Sequence, residues 1–343
     1  MDLAAMIPTA QALVAPGKGI LAADESTPTM GRRLAAIGLE STEQRRRAYR
    51  QLLFTAPGLG ECISGVILFD ETIRQRSDDG MPLVELLHAA GVIPGIKVDR
   101  GTTPLAGFPD EVVTEGLDGL RARFDEYVSL GARFAKWRAV IRIGDGRPTR
   151  TCLSAHAHAL ARYAALAQEA GLVPIVEPEV LMDGAHGLER CAEVTVAVLR
   201  AVYDQLAAHR VVLEASLLKP NMVIAGADCR IQADAGQVAD ATIGALRQAV
   251  PAAVPGIVFL SGGQSEVQAT TNLDALNRRA PQPWQLSFSF GRALQAPVLR
   301  AWAGVPENVA EAQAALLHRA AMNRAARRGE YRAEFEHPTP AHA

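Results

Sequence analysis

Short apolar runs alternate along the chain with longer segments that are rich in Ala, Leu, Arg and Glu. A short apolar run bounded by turn residues is typical of a buried strand, and strands that alternate with helices predict a parallel sheet. The predicted strands are residues 18–24, 64–70, 92–99, 133–140, 171–180, 211–223, 255–263 and 284–292. The helices predicted between them are residues 41–53, 116–131, 154–170, 187–208, 234–249 and 265–278.

Eight such units in a chain of 343 residues predict an α/β fold, the eight-stranded parallel (β/α)8 or TIM barrel. Residues 306–328 predict an extra C-terminal helix. No linker or low-complexity stretch interrupts the chain, so we expect a single domain over residues 1–343. The tail from about residue 330 should be loose.

Composition narrows the class of protein. The formal net charge is −2, so the chain lacks the basic excess that binds nucleic acid or an anionic membrane. Its four cysteines lie far apart in sequence, which argues against a zinc or redox pair and is typical of reduced thiols in a cytoplasmic protein. The N-terminus has no basic segment of a signal peptide, and no apolar run approaches the ~20 residues of a membrane span.

Polar residues gather at or near the C-terminal ends of the predicted strands. In a parallel barrel these ends form one rim, where the active sites of this fold are built. Strand residues two apart share a face, so Lys136 and Arg138 should point together, as should Glu177 and Glu179. The polar residues at these ends are Asp24, Asp70, Lys97, Asp99, Lys136, Arg138, Glu177, Glu179, Lys219, Ser261, Ser289 and Arg292.

Lys219 stands in a run that reads as a buried strand. Lysine is rarely fully buried, and an ammonium group in an apolar wall, with other cations nearby, loses its proton more easily than a free lysine. A neutral amine is a nucleophile that forms a Schiff base with a carbonyl group. Glu177 and Glu179 could then transfer the protons that imine formation requires.

Two structural alternatives stay open at this point. Lys219 could extend its amine to water at the rim, as long cationic side chains often do. Lys136 and Arg138 could form ion pairs with Glu177 and Glu179 that serve only the structure. The convergence of carboxylates and cations on one small space favours a functional site, because a barrel core has no structural need for it.

Two segments resemble phosphate sites. "LSGGQS" (260–265) ends a strand with glycines that let backbone N–H groups approach an anion, and "FSFGRALQ" (288–295) places Gly-Arg at a helix start. The loops after the seventh and eighth strands of a barrel are its usual phosphate site. A third cationic group, Arg32 and Arg33, follows the first strand.

A metal site has little support in the sequence. His156 and His158 lie two apart on a predicted helix, where their side chains diverge, so we expect surface residues rather than metal ligands. No HxH or HExxH motif ends a strand.

The motifs, taken in order, resemble those of the class I (Schiff-base) fructose-1,6-bisphosphate aldolases from about residue 17 to about residue 331. This resemblance implies a (β/α)8 barrel, in agreement with the pattern above. The motifs that carry it are "GKGILAADEST", "GVILFDET", "GIKVD", "FAKWR", "PIVEPEV", "LLKPNMV", "FLSGGQS" and "SFGRALQA".

The resemblance also implies roles for single residues. Lys219 matches the Schiff-base lysine, Glu177 the group that works on the carbinolamine, and Glu179 the glutamate beside the lysine. Asp24 matches the acid that takes the C4 hydroxyl proton. Lys136 and Arg138 match cations of the pocket, and we count Lys136 among the catalytic residues. The residues matching the C1-phosphate site are Ser261, Gly262, Gly263, Ser289, Gly291 and Arg292. Those matching groups near the other phosphate are Ser26, Arg33 and Lys97.

The chain departs from the family pattern in two places. "STPTMGRR" stands where "STGSIAKR" is common, which leaves the contacts to the second phosphate open. No tyrosine follows Tyr331, whereas animal members end in a tyrosine that assists proton exchange.

The resemblance implies a cytoplasmic lyase of glycolysis and gluconeogenesis that cleaves fructose 1,6-bisphosphate reversibly. Its partners would be small sugar phosphates, with no cofactor or metal, no nucleic acid and no membrane. It would be a homo-oligomer, a tetramer by family resemblance. The alternatives are a Schiff-base lyase for a shorter or singly phosphorylated sugar, and an inactive binding protein that keeps the fold.

Overall fold

The computed structural model describes residues 2–337 and has ten strands in that range. Eight of them close into a barrel and two form a separate antiparallel pair. The strands are β1 (Gly19–Ala23), β2 (Ile63–Leu68), β3 (Ile93–Lys97), β4 (Thr102–Pro104), β5 (Val112–Thr114), β6 (Phe134–Ile141), β7 (Val173–Val180), β8 (Leu217–Leu218), β9 (Gly256–Phe259) and β10 (Gln285–Phe290).

Helices surround the barrel and close one of its ends. Within residues 2–337, none is long and apolar enough to cross a lipid bilayer. The helices are α1 (Leu3–Leu13), α2 (Thr27–Ala35), α3 (Glu43–Phe54), α4 (Leu59–Cys62), α5 (Asp70–Arg74), α6 (Leu83–Ala89), α7 (Leu120–Ser129), α8 (Arg150–Glu169), α9 (Leu188–Ala208), α10 (Ala235–Ala249), α11 (Glu266–Asn277), α12 (Arg292–Trp302) and α13 (Val309–Arg327).

The barrel strands are all parallel, in the order β1, β10, β9, β8, β7, β6, β3 and β2. This confirms the predicted (β/α)8 barrel. Strands β6 and β7 pair over their whole length, with Phe134 opposite Val173 and Arg138 opposite Glu177. Because parallel strands run in one direction, this register brings the polar ends of the two strands to the same level of the barrel.

Strand β8 is much shorter than predicted, since only Leu217 and Leu218 of the predicted 211–223 are paired as strand. The amide of Lys219 still donates to the carbonyl of Val176 (2.8 Å) and continues the ladder by one residue. Pro220 then has no N–H to donate. Beyond it, the Asn221 side chain accepts from the amide of Val180 (3.0 Å), so a side chain replaces the backbone partner of β7.

Helix α1 closes the N-terminal end of the barrel and was not predicted. Met6, Ala10 and Leu13 are buried and recur every three or four residues, the spacing of one helix face. They pack with residues from the inner face of the strands, including Phe134 and Ile175. The N-terminal half of the barrel interior is therefore filled with apolar side chains, and the end formed by the C-terminal ends of the strands is left open.

Several shorter elements were also missed. Helices α2, α4, α5 and α6 and the β4–β5 pair have between three and nine residues each, too few for a clear periodic pattern. The prediction that His156 lies at the surface was wrong, because His156 is buried, while His158 is exposed as expected. Burial lowers the pKa of His156 below its ordinary value.

The extra C-terminal helix is present as α13, and two residues beyond it, Tyr331 and Glu336, contact the rest of the protein. Tyr331 is buried; its amide donates to Asp274 (2.9 Å) and its hydroxyl to Glu336 (2.7 Å). Arg319 of α13 pairs with Glu336 as well. Residues 338–343 lie outside the described range, and the loose tail remains a prediction.

Candidate active site

A cavity of about 1160 Å³ opens at the C-terminal ends of the barrel strands. Small-molecule sites are typically ~300–1,000 Å³, so the cavity is ample for a small metabolite. All fifteen residues predicted for the site line it: Asp24, Ser26, Arg33, Lys97, Lys136, Arg138, Glu177, Glu179, Lys219, Ser261, Gly262, Gly263, Ser289, Gly291 and Arg292.

The strands carry these side chains inward by simple alternation. Ile175 of β7 belongs to the apolar layer below, and Glu177 and Glu179 follow on the same face. On β6 the same alternation runs from Phe134 to Lys136 and then to Arg138. Each strand therefore changes from apolar to charged along its inner face where it reaches the rim.

Four charged groups form a continuous array across the cavity floor. The Lys136 ammonium lies 2.7 Å from Asp24 Oδ2 and 3.0 Å from Glu177 Oε2. The other oxygen of Glu177 lies 3.2 Å from Lys219 Nζ. The Lys219 side chain is only 4% exposed, so its amine does not extend to water and the first structural alternative is excluded. The array joins Asp24 to Lys219 through Lys136 and Glu177.

The array shifts the pKa values of Asp24 and Lys136. Burial alone would raise the pKa of the Asp24 carboxyl, but the ammonium groups of Lys136, Lys219 and Lys97 hold it well below its ordinary value. Burial would lower the pKa of Lys136, but Asp24, Glu177 and Asp99 raise it above its ordinary value. Near neutral pH, Asp24 is therefore a carboxylate and Lys136 an ammonium, each stabilising the other.

A second ion pair joins Arg138 to Glu179. The resemblance placed Glu179 beside the lysine, but no Glu179 oxygen lies within 4.0 Å of the Lys219 ammonium. Burial would lower the pKa of Arg138, but Glu179 raises it above its ordinary value. The ion pairs that the second structural alternative expected between Lys136, Arg138 and the two glutamates thus exist. The same array also includes Asp24 and Lys219, which that alternative did not include.

The loops after β9 and β10 present groups suited to an oxyanion. The Ser289 hydroxyl is buried and has no hydrogen-bond partner among the described residues. Arg292 is exposed at the first position of α12 and forms no ion pair with a carboxylate of residues 2–337. A helix start, an unpaired guanidinium and a free hydroxyl together favour phosphate binding.

The three residues matched to the other phosphate are less clearly gathered. Lys97 pairs with Asp99 (2.6 Å), and the Ser26 hydroxyl donates to Thr29 (3.2 Å). Arg33 Nη2 lies 3.8 Å from the point where a Cβ on Gly291 would stand. Arg33 is therefore next to the loop matched to the C1 phosphate, although the resemblance assigned it to the other one.

A family model described as "Fructose-bisphosphate aldolase class-I" matches residues 5–342. The chain belongs to the class I fructose-bisphosphate aldolase family. A Xanthomonas axonopodis pv. citri protein named "Probable fructose-bisphosphate aldolase class 1" is 55% identical over 97% of this chain and 100% of its own length. "Fructose-bisphosphate aldolase 5, cytosolic" of Arabidopsis thaliana is 57% identical over 95% of this chain and 91% of its own length.

A solved structure shares the fold as well as the sequence. Fructose-bisphosphate aldolase from Plasmodium falciparum, solved in complex with TRAP and a small molecule inhibitor, gives a TM-score of 0.95 at 51% identity. The match covers 96% of this chain and 95% of that one. The family predicted from the motifs is thus confirmed.

Among the residues that the sequence reasoning missed are Glu25 and its buried partner Arg50. Glu25 lines the cavity beside Asp24, and Arg50 of α3 donates to it from behind. A signal existed for Arg50, because the other buried residues of α3 are Tyr49, Leu52, Leu53 and Phe54, and a charged residue among them needs a partner. No group of three or more His, Cys, Asp or Glu within residues 2–337 is arranged to hold a metal ion.

Proposed function

We propose that this protein is a fructose-bisphosphate aldolase that cleaves fructose 1,6-bisphosphate reversibly to dihydroxyacetone phosphate and glyceraldehyde 3-phosphate. The observation that carries the proposal is the buried Lys219 amine, 3.2 Å from a carboxylate, on the floor of a cavity at the barrel's C-terminal rim. Family membership supports the same reaction.

The chemistry would begin at Lys219. Its amine attacks the C2 carbonyl, and Glu177, the carboxylate nearest to it, moves the protons that turn the carbinolamine into an imine and water. The C3–C4 bond then breaks as Asp24 takes the C4 hydroxyl proton, and the electron pair flows into the protonated imine. The aldehyde leaves, the enamine is protonated at C3, and water releases dihydroxyacetone phosphate.

The cations of the site would bind and balance the substrate's charge. Arg292, Ser289 and the loop from Ser261 to Gly263 would hold the C1 phosphate. Lys136 lies between Asp24 and Glu177, so its ammonium group contacts both carboxyl groups and holds them apart. Glu179 would act indirectly, by fixing the guanidinium of Arg138 over the cavity.

Other parts of the proposal rest on relatives alone. A cytoplasmic location agrees with the printed name of the Arabidopsis relative. A homo-tetramer and the use of sugar phosphates without metal or other cofactor are inferred from the family. Tyr331 is packed against Asp274 and Glu336 and does not line the cavity.

Borohydride trapping tests the proposal. Reduction in the presence of dihydroxyacetone phosphate should attach the three-carbon unit to Lys219, as peptide mass spectrometry would show, and abolish cleavage of fructose 1,6-bisphosphate. Lys136→Arg should still be trapped on Lys219, because it keeps the second cation. Labelling of another lysine, or of none, would refute the role of Lys219.

Chelation gives an independent test of the metal-free mechanism. The protonated imine accepts the electron pair in the proposed sequence, so cleavage should survive prolonged treatment with a strong chelator. If activity disappeared and a divalent cation restored it, a metal-dependent mechanism would replace the proposed one.

A further inference from the structure

Glu25 is a buried carboxylate held between two arginines. Its Oε2 accepts a hydrogen bond from Arg50 Nη2 (2.6 Å), and its Oε1 accepts one from Arg33 Nη1. Gln295 of α12 donates to Oε1 as well (2.8 Å) and to the carbonyl of Ala22 (2.7 Å). The carboxylate is therefore fixed by three side chains at the end of β1.

The two arginines differ in what they face. Arg33, on α2, lines the cavity with a side chain that is 23% exposed, and it lies next to Gly291. Arg50, on α3, has a side chain that is 3% exposed and does not line the cavity. Arg50 consequently has no direct access to a substrate, and it acts only through Glu25.

The Glu25 carboxylate and the guanidinium groups of Arg33 and Arg50 together carry a net charge of +1. One carboxylate shared by two guanidinium groups cannot neutralise both, so the excess charge appears on the only one that faces the cavity, Arg33. If Arg50 were absent, Glu25 would pair with Arg33 alone and cancel its charge toward an incoming anion, and such pairs interact strongly where water is scarce. Hydrogen bonds from guanidinium groups to phosphate are among the stronger ones in proteins.

We propose that Arg50 is a positioning residue that draws part of the Glu25 charge away from Arg33 and so keeps Arg33 available to the substrate phosphate near Gly291. This inference rests on the proposed function, since it takes the cavity to bind a sugar phosphate. The competing explanation is that Arg50 only fastens α3 to the barrel, in which case its loss would lower stability without a specific effect on phosphate.

The test compares four proteins: wild type, Arg50→Met, the double variant Arg50→Met/Glu25→Gln, and Arg327→Met. Arg327 is a matched control, a buried arginine that donates to the carbonyls of Val14, Ala15 and Lys18 near the N-terminal end of β1. The measurement is the concentration of dihydroxyacetone phosphate that half-saturates borohydride trapping at Lys219.

In Arg50→Met this concentration should rise by up to about tenfold, the size expected when one charge-assisted hydrogen bond is weakened. The double variant should return toward wild type, because the neutral amide that replaces the Glu25 carboxylate no longer cancels the charge of Arg33 but can still accept its N–H. Arg327→Met should stay at the wild-type value. No rise in Arg50→Met, or a rise that the double variant does not reverse, would overturn the proposal.

Two further measurements keep the test decisive. If Arg50→Met does not fold, Arg50→Gln replaces it: glutamine can still donate a hydrogen bond to Glu25 but carries no charge, so the half-saturating concentration should rise, and no rise would refute the idea. If wild type is not trapped at all, the proposed function fails. Stabilisation of the same proteins by inorganic phosphate, followed by thermal unfolding, still reports the role of Arg50, with Arg50→Met stabilised less than wild type and the double variant restored.

Discussion

At the scale of single residues, the position of Lys136 separates two proton-transfer groups. It lies between Asp24 and Glu177, and only Glu177 also contacts Lys219. Imine formation needs a proton-transfer group near Lys219, whereas C–C cleavage needs a base further along the substrate. The geometry therefore favours separate roles for the two carboxylates.

Amide substitutions would expose these two roles. Glu177→Gln should slow imine formation, while Asp24→Asn should allow the imine but block cleavage, each by about 10²–10⁴-fold. Borohydride trapping in Asp24→Asn should therefore persist while turnover of fructose 1,6-bisphosphate collapses. An Asp24→Asn protein that is neither trapped nor active would show that Asp24 serves binding or structure instead.

A second prediction at this scale concerns Arg292. Arg292→Ala should raise the KM for both fructose 1,6-bisphosphate and fructose 1-phosphate, since both carry the C1 phosphate, and a lost charge-assisted contact costs about 1.5–3 kcal/mol. Arg300→Ala is the control, because Arg300 lies on the same helix and pairs with Glu266 away from the cavity. An effect on the bisphosphate alone would place Arg292 at the opposite phosphate.

At the scale of elements, the loop between β9 and α11 is shaped by a close contact. Gly263 has a φ of +74°, and a Cβ there would stand 2.2 Å from Met182 Cγ. A side chain at this position would push the loop away from the residues after β7. The loop can therefore lie against the cavity only if this position lacks a side chain.

Gly263→Ala should therefore weaken phosphate binding in addition to lowering the free energy of unfolding. Gly91→Ala is the matched control, since Gly91 also has a positive φ (+67°) but nothing lies within 4 Å of its Cβ position. Both variants should lose roughly 1–2 kcal/mol of stability from left-handed backbone strain. Only Gly263→Ala should also raise the KM for fructose 1,6-bisphosphate, and equal KM values in the two variants would contradict this account of the loop.

At the scale of the whole molecule, the ion pairs of the rim make stability depend on pH. Burial would raise the pKa of Glu25, but Arg50 and Arg33 lower it below its ordinary 4.5, and the pKa of Asp24 is shifted in the same direction from 3.8. A group with a lowered folded-state pKa contributes stability that is present above its unfolded pKa and is lost as the pH falls toward the folded one.

The free energy of unfolding should therefore fall as the pH decreases from about 5 toward 2, and less steeply in Glu25→Gln than in wild type. Urea denaturation followed by circular dichroism at several pH values measures the slope. Glu330→Gln, at an exposed position on the tail, should keep the wild-type slope. Equal slopes in Glu25→Gln and wild type would show that Glu25 is not a source of the acid sensitivity.

The fold class and the position of the cavity can be predicted from the amino-acid sequence alone. Strand and helix patterns repeat at short range, so the barrel and the approximate bounds of its longer elements follow from the chain itself. In a parallel barrel all strand ends meet at one rim, so polar residues at those ends had to face one cavity, and all fifteen predicted residues line it. The single-domain extent to residue 343 remains a prediction.

Other features depend on which distant segments come into contact, and only the tertiary structure decided them. Periodicity identifies a buried helix face but not its partner, so Arg50 and Glu25 could not be paired from the sequence, nor could His156 be assigned to the interior. The family resemblance placed Glu179 beside Lys219, and only the structure shows that Glu179 pairs with Arg138. The spacing of residues along a strand determines which way a side chain points. Its ion-pair partner depends on which neighbouring strands and helices pack against that strand.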